Sequence, residues 1–410
     1  MRRRWRHIRH AKYRARNSVD TEIASNGEMD PDQSRRMPRP GVCRKPISLA
    51  LQGGGSWGAY TWGVLEALLA SRSVVVTQLS GTSAGAINAA IVASALAKGS
   101  PARARHALQS FWLSIAADAS VDLVSRLWAP LQRRWTDSMS DWLHVYGAPP
   151  THAANPFAAD LLRNAIDRSV DIDAIRSNSA PALFVTATNV RTGLPRVFSN
   201  ASMSVDVLLA SACLPELFPA VEIDGESYWD GAYGGNPTLW PMIDSGLAAD
   251  LIVIQLLRDR VGQVPIDARA IRRRVSEIVF NSSLVAEMQA INAIRAKGGS
   301  SNGMSSLGDV RLHRIGPPSD KLSELGSGVE RARIWLQQLH DEGVAAGRGF
   351  MARHGADIGV RETLDIGRAF VDAHNRTSSK SAMREAFVPN DASPEISQTV
   401  RHEPKLRHVA

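Results

Sequence analysis

Two glycine turns constrain this chain more than any other feature. Residues 51–58 read LQGGGSWG and residues 79–88 read LSGTSAGAIN. Each turn joins a continuous apolar run to a run with helical spacing. Residues 47–52 (ISLALQ) and 73–79 (SVVVTQL) have the uninterrupted apolar or β-branched character of strands buried on both faces. Residues 59–69 and 84–98 place apolar and small residues at helical period, and Gly99 with Pro101 stops the second helix. Two strand–turn–helix units in succession predict an α/β fold, a three-layer α/β/α arrangement around a mainly parallel sheet.

The remaining pattern extends that reading. Strands are expected at residues 183–187, 196–198 and 251–257 (LIVIQLL), and helices at 205–212, 267–297 and 328–352. Residues 102–170 read as irregular helix and hold Trp112, Trp128, Trp135 and Trp142. Residues 298–308 (GGSSNGMSSLG) read as a flexible loop. One domain is expected over residues 46–355. It is flanked by a basic arm (1–45) and by an extension (356–410), both expected to lack a core and to be largely disordered.

Charge narrows the partners. The formal net charge of +8 is matched by Arg2, Arg3, Arg4, Arg6, Arg9, Lys12, Arg14 and Arg16, all of which precede the first acid, Asp20. The remainder is near neutral, so the basic balance does not indicate a nucleic-acid-binding domain. The arm is either an idle leader or a contact for anionic lipid or RNA. Cys43 and Cys213 stand far apart with no metal-ligand spacing, as expected of reduced thiols. No apolar run is long enough to span a bilayer and no signal-peptide pattern follows the basic start, so a cytoplasmic location is expected.

Gly81-Thr82-Ser83-Ala84-Gly85 fits G-x-S-x-G in the context that gives this short pattern meaning, a strand before it and a helix after. Such a turn exposes a nucleophilic serine at a helix N-terminus, whose partial positive charge favours the attacking oxygen. The ordinary alternative is a serine that merely caps the helix. The Gly53-Gly54-Gly55 turn with Gly58 can aim successive amides into one concavity, an anion nest. A nucleotide phosphate fits poorly, because no Lys follows and no acid closes the next strand. The oxyanion of an acyl-transfer intermediate fits better. One turn then presents the nucleophile and the other receives the charge.

The base is less legible. A Ser…Asp…His order would need a late histidine, and His313 or His354 is available for it. Asp230, in YWDGAYGGNP after a short aromatic strand, is the other candidate. On spacing alone, Asp-Gly there is also an ordinary solvated turn.

Taken together, GGGSWG, GTSAG and DGA, in that order, resemble the patatin-like phospholipases. The connecting segments ATNVRTGLPRVFSN and LLASACLPELFPAVEIDGESYWDGAYGGNP carry the likeness further, over roughly residues 47–350. The resemblance implies a Ser-Asp dyad, with Ser83 as nucleophile and Asp230 as its base. It implies an oxyanion hole from Gly53, Gly54 and Gly55 with Gly58 shaping the turn, while Gly81, Gly85 and Gly231 frame the reacting residues. Many members carry Arg or Lys where this chain has Trp57, and DGA replaces the usual DGG, which is tolerable if φ at Ala232 is negative. No metal or other cofactor is implied. The expected substrate is a lipid or membrane-surface carboxylic ester, with a short ester or a storage polyester as alternatives. Peripheral membrane contact is expected, with the tryptophans of residues 112–142, Trp57 and Trp62 as a candidate lid. A nucleotide-binding protein and a catalytically silent scaffold are the competing readings.

Overall fold

The structure is a computed structural model that describes residues 44–116, 158–215, 217–247, 249–297, 310–317 and 331–371. Residues 1–43 of the expected basic arm, the loop at 298–308, the tail from residue 375 and Trp128, Trp135 and Trp142 lie outside the described residues, and Lys45, expected in the arm, already belongs to the first strand.

In chain order the strands are β1 (Lys45–Leu51), β2 (Val74–Thr82), β3 (Ala182–Asn189), β4 (Pro195–Ser199), β5 (Val221–Ile223), β6 (Glu226–Asp230), β7 (Asp250–Ile254) and β8 (Arg311–Ile315). The helices are α1 (Gly58–Ala70), α2 (Ala84–Ala97), α3 (Pro101–Ile115), α4 (Ala158–Ser169), α5 (Ile172–Arg176), α6 (Val205–Ser211), α7 (Trp240–Asp244), α8 (Ala268–Ala296), α9 (Arg333–His354) and α10 (Ile366–Phe370). β3, β2, β1, β7 and β8 run parallel in that spatial order, so the two expected strand–turn–helix units do bring their turns side by side.

Alternation along the central strands shows why the sheet is covered on both faces. Leu49, Leu51, Ile252 and Ile254 face one core with α1, α2, α3 and α9, while Ala50, Leu251 and Val253 face a second core with α7, α8 and α10. Strands buried on both sides read as continuous apolar runs because both pleat positions are dry.

Three expectations change. First, β2 runs through Gly81 and Thr82, and the apolar run at 251–257 ends its strand at Ile254, where the chain turns out toward the site. Second, β8 carries only two apolar residues, Leu312 and Ile315, beside two arginines and a histidine, and was not expected as a strand. Its pairing with β7 is stabilised by Arg311 donating to Asp250 at 2.9 and 3.0 Å. Third, the packed chain does not stop near residue 355. The amides of Thr363 and Leu364 donate to Leu312 O, and Leu364, Ile366 and Phe370 are buried in the second core. Among the described residues, no helix is long and apolar enough to cross a membrane.

Candidate active site

β3 explains how the two motifs separated by well over a hundred residues come together. A strand has two edges. β4 occupies one edge of β3 along residues 184–188, so the other edge must hold both β2 and β6. β2 climbs that edge and ends with Thr82 opposite Thr186, while β6 descends it and ends with Asp230 opposite Ala187. Thr186 and Ala187 are consecutive, so the two strands meet end to end at neighbouring positions along β3. Ser83 begins where β2 stops. The junction is tight: a Cβ on Gly231 would lie 2.0 Å from Thr186 O and 2.9 Å from Thr82 Cγ2, so only glycine fits after Asp230.

Ser83 stands at the N-cap position of α2, but its side chain does not cap the helix. The residue has φ 55° and ψ −127°, and its hydroxyl makes no capping hydrogen bond to α2. Ser83 and Asp224 are the two non-glycine residues with positive φ among those described, and a β-carbon in that region is strained. The conformation is held from outside. The Ser83 amide donates to Ser211 Oγ at 2.9 Å, and the Ser211 hydroxyl donates to Thr186 O at 2.7 Å. Gly81 and Gly85 close the elbow: a Cβ on Gly81 would sit 2.5 Å from Gly85 O, and one on Gly85 2.3 Å from Leu51 O. Ser83 and Asp230 are both buried, at 7% and 1% exposure.

The carboxylate is oriented by its own turn. Asp230 Oδ1 accepts the Ala232 amide at 2.8 Å, and the Asp230 amide donates to Cys213 O at 2.8 Å. Ala232 lies in a single 3₁₀ turn and is not among the positive-φ residues, so alanine is accommodated there. Burial, followed by the negative charge of Asp230, pushes the Cys213 thiol up to about 12. It therefore remains a thiol, donating to Pro219 O at 2.8 Å, rather than a second nucleophile.

The glycine loop lies against the elbow, since a Cβ on Gly53 would be 2.7 Å from Ser83 Cβ. The expected donors divide, however. The Gly53 amide donates to Asn236 Oδ1 at 2.6 Å, and the Gly58 amide donates within its own turn to Gly55 O and Ser56 O. Neither is available to an oxyanion. The amides of Gly54 and Gly55 have no acceptor among the described residues, and they remain the candidate donors. Gly58 has a packing role instead, because a Cβ there would meet Ala84 Cβ at 2.8 Å and Trp112 at 3.0 Å.

Asn236, which spacing did not single out, fastens this loop. Besides accepting from Gly53, it donates through Nδ2 to Phe280 O and through its amide to Ser283 Oγ, both on α8. Gln52 supports the same corner, accepting from the Leu256 and Leu257 amides and donating to Asn236 O and Asn281 Oδ1. Asn236→Ala leaves the Gly53 amide buried without an acceptor. The expected cost is about 1–3 kcal/mol of stability and a fall in kcat of roughly 10–100-fold as the loop loosens. Chemical denaturation and steady-state kinetics check the two effects.

Glu287 grips the same segment from α8, accepting the Leu239 and Trp240 amides at 2.9 and 3.0 Å. Burial pushes its carboxyl up to about 7, against those two donors, which favour the charged form. A folded-state value above the unfolded one means the native protein holds the extra proton between about pH 4.5 and 7. The resulting stabilisation is complete below that window and is lost as pH rises through 7. Between pH 4.5 and 8 the wild type should lose up to about 3 kcal/mol from this group, at ~1.4 kcal/mol per pKa unit. Glu287→Gln should flatten that slope in denaturation measured across the range.

The alternative bases are engaged elsewhere. His313 is fully buried on β8, with Nε2 on Asp250 Oδ1 and Nδ1 on Thr363 Oγ1, and burial lowers its pKa. His354 Nδ1 is on Asp357 Oδ2. The lid reading also fails for two tryptophans. Trp62 is buried against His340, and Trp112 is buried with its Nε1 donating to Asn88 Oδ1, while Asn88 Nδ2 donates to Gly58 O. Both are core residues; Trp112, through Asn88, ties the end of the glycine loop to α2 and α3.

Among the described residues no group of three or more His, Cys, Asp or Glu is placed to hold a metal. A cavity of about 320 Å³ lies between α4, α6 and β5, lined by Leu162, Leu209, Cys213 and Phe218 together with Asp160, Glu222 and the Arg163–Asp206 ion pair.

Compared with known proteins, residues 49–243 match the family model Patatin, described as patatin-like phospholipase. No curated protein matches the chain. Among solved structures, VipD from Legionella pneumophila aligns over 84% of this chain and 75% of its own, at 13% identity and a TM-score of 0.39. The type III effector protein ExoU aligns over 84% of this chain and 62% of its own, at 15% identity and a TM-score of 0.33. Full-length ExoU from Pseudomonas aeruginosa, in complex with SpcU, aligns over 84% of this chain and 80% of its own, at 16% identity and a TM-score of 0.26.

Proposed function

We propose that this chain, whose residues 49–243 match the patatin-like phospholipase family, is an ester hydrolase acting on lipids in which Ser83 and Asp230 form the catalytic dyad. The observation that carries this reading is the end-to-end meeting of β2 and β6 on one edge of β3.

In the first step Asp230 takes the Ser83 hydroxyl proton as Oγ adds to the ester carbonyl carbon. The carbonyl oxygen becomes an oxyanion held by the amides of Gly54 and Gly55 and the N-terminal end of α2. Collapse expels the alcohol, which recovers its proton from Asp230, and leaves an acyl-serine. Water then adds to the acyl carbon with Asp230 again taking the proton, and the acid departs as Ser83 is restored. A carboxylate is a weaker base than imidazole, and burial of both residues favours the transfer. A phosphate loop is disfavoured because the Gly53 and Gly58 amides are already spent within the protein.

The test is covalent labelling of the full chain by a fluorophosphonate together with release of fatty acid from phospholipid vesicles. Labelling with fatty-acid release supports the reading. Labelling with hydrolysis of short soluble esters alone shifts the substrate class and keeps the dyad. Absence of labelling overturns the dyad.

A further inference from the structure

The outward face of α8 has the wrong composition for water. Fifteen large apolar residues are exposed among those described, and six of them fall between positions 264 and 279: Val264, Ile266, Ile271, Val275, Ile278 and Val279. Val264 and Ile266, in the loop that enters α8, are 84% and 92% exposed. Ile271, Val275, Ile278 and Val279 fall at helical spacing, and the stripe continues through Ser282, Ala286 and Ala290 without a charge. The opposite face buries Leu284, Met288 and Ile291 in the second core. An exposed helix face is ordinarily polar, and a contiguous apolar one marks a contact surface.

Two observations identify what it contacts. Charge is the first. Residues 258–277 carry six arginines against three acids; Arg258 and Arg274 are held inward on buried Glu277, while Arg260 and Arg272 are exposed, Arg272 next to Ile271 at the margin of the stripe. Apolar residues with a basic margin suit the boundary of an anionic bilayer. Position is the second. The loop bearing Val264 and Ile266 leaves the carboxyl end of β7, which is parallel to β1 and β2, so it emerges on the edge where the glycine loop and Ser83 stand. The acid loop also rests on α8: Tyr233 packs edge-on against Phe280 at 5.1 Å between ring centroids, and exposed Trp240 donates its amide to Glu287.

We propose that the Val264–Ile266 loop and the Ile271/Val275/Ile278/Val279 face of α8 dock this protein on an anionic lipid surface, beside the site that cleaves the ester. The inference rests on the lipid-ester reading above and adds the face by which the enzyme reaches its substrate.

The experiment measures vesicle co-sedimentation of the full chain in the Ser83→Ala background, so that binding is read without hydrolysis. The vesicles are phosphatidylcholine alone and phosphatidylcholine with phosphatidylserine. Val275→Gln/Ile278→Gln/Val279→Gln should lower vesicle binding at least about tenfold. Arg272→Glu should lower binding to the anionic vesicles about fivefold or more and spare the zwitterionic ones. With Ser83 intact, the triple variant should keep its rate on a soluble short ester and lose it on vesicles. Unchanged vesicle binding overturns the proposal. So does equal loss on both substrates, which would mean that the face is covered by the chain itself. A change of oligomeric state in the triple variant, read by sedimentation, would assign the face to a second copy and also overturn it. Failure of the dyad would instead appear as absent fluorophosphonate labelling, whatever the vesicles show.

Discussion

Ser83→Ala is expected to abolish fluorophosphonate labelling and to lower ester hydrolysis by roughly 10⁴–10⁶-fold, the range seen when a serine nucleophile is removed while the rest of the site survives. Stability should hardly move, because the Ser83 hydroxyl makes no capping bond. Ser83→Gly makes the expectation sharper. The residue sits at φ 55°, where a β-carbon is strained and glycine is not. The glycine variant should be equally inactive yet more stable by about 1 kcal/mol, read as a higher thermal midpoint. Such a trade of stability for activity is what a strained nucleophile implies. An alanine variant that keeps hydrolysis within tenfold of wild type would remove Ser83 from the mechanism. A glycine variant that melts below wild type would remove the strain argument and leave the mechanism standing.

The two turns were legible because local chemistry dictates them. A buried strand running into glycines and then into a small-residue helix leaves little choice of conformation, and the chain follows the expected course from Lys45 to Ala97. Asp230 was legible as a candidate and its neighbourhood to Ser83 was not, because nothing local ties the two residues together. The link is made by β3, through a register that depends on which edge β4 occupies. The same reason hid Asn236 and Ser211. Their bonds to Gly53 and to the Ser83 amide span 183 and 128 residues, and a lone Asn or Ser carries no signal of a distant backbone donor. Four glycines in one loop looked alike in sequence. Only their neighbours separate Gly54 and Gly55, with open amides, from Gly53 and Gly58, whose amides are spent. β8 was missed because an outer parallel strand with charged residues has no continuous apolar run, and Asp250 with Arg311 makes up the difference. Residues 356–371 read as an extension because their apolar residues are few, yet Leu364, Ile366 and Phe370 suffice to cover the second core.

Asp230→Asn separates a dyad from every histidine-based alternative. Asparagine keeps an Oδ1 acceptor for the Ala232 amide, so the turn that carries the side chain should persist, and with it the contact of Gly231 with Thr82 and Thr186. What it loses is the ability to take a proton. We expect kcat/KM to fall by roughly 10³–10⁴-fold with KM little changed, and fluorophosphonate labelling of Ser83 to slow in parallel, since that reaction needs the same proton removed. Ser83→Ala/Asp230→Asn should be no worse than Ser83→Ala alone, because two residues that act as one unit are not additive. His354→Gln should leave kcat/KM within a factor of about two, and the wild-type profile should show no inflection that follows an imidazole near pH 6.5. His313 is a poorer probe, because its ring is bonded to Asp250 and Thr363 in the core and its loss would act through folding. If Asp230→Asn retained a tenth of wild-type activity, or if the double variant lost a further large factor, the carboxylate would be a structural turn residue. The proton would then have to leave Ser83 by another route.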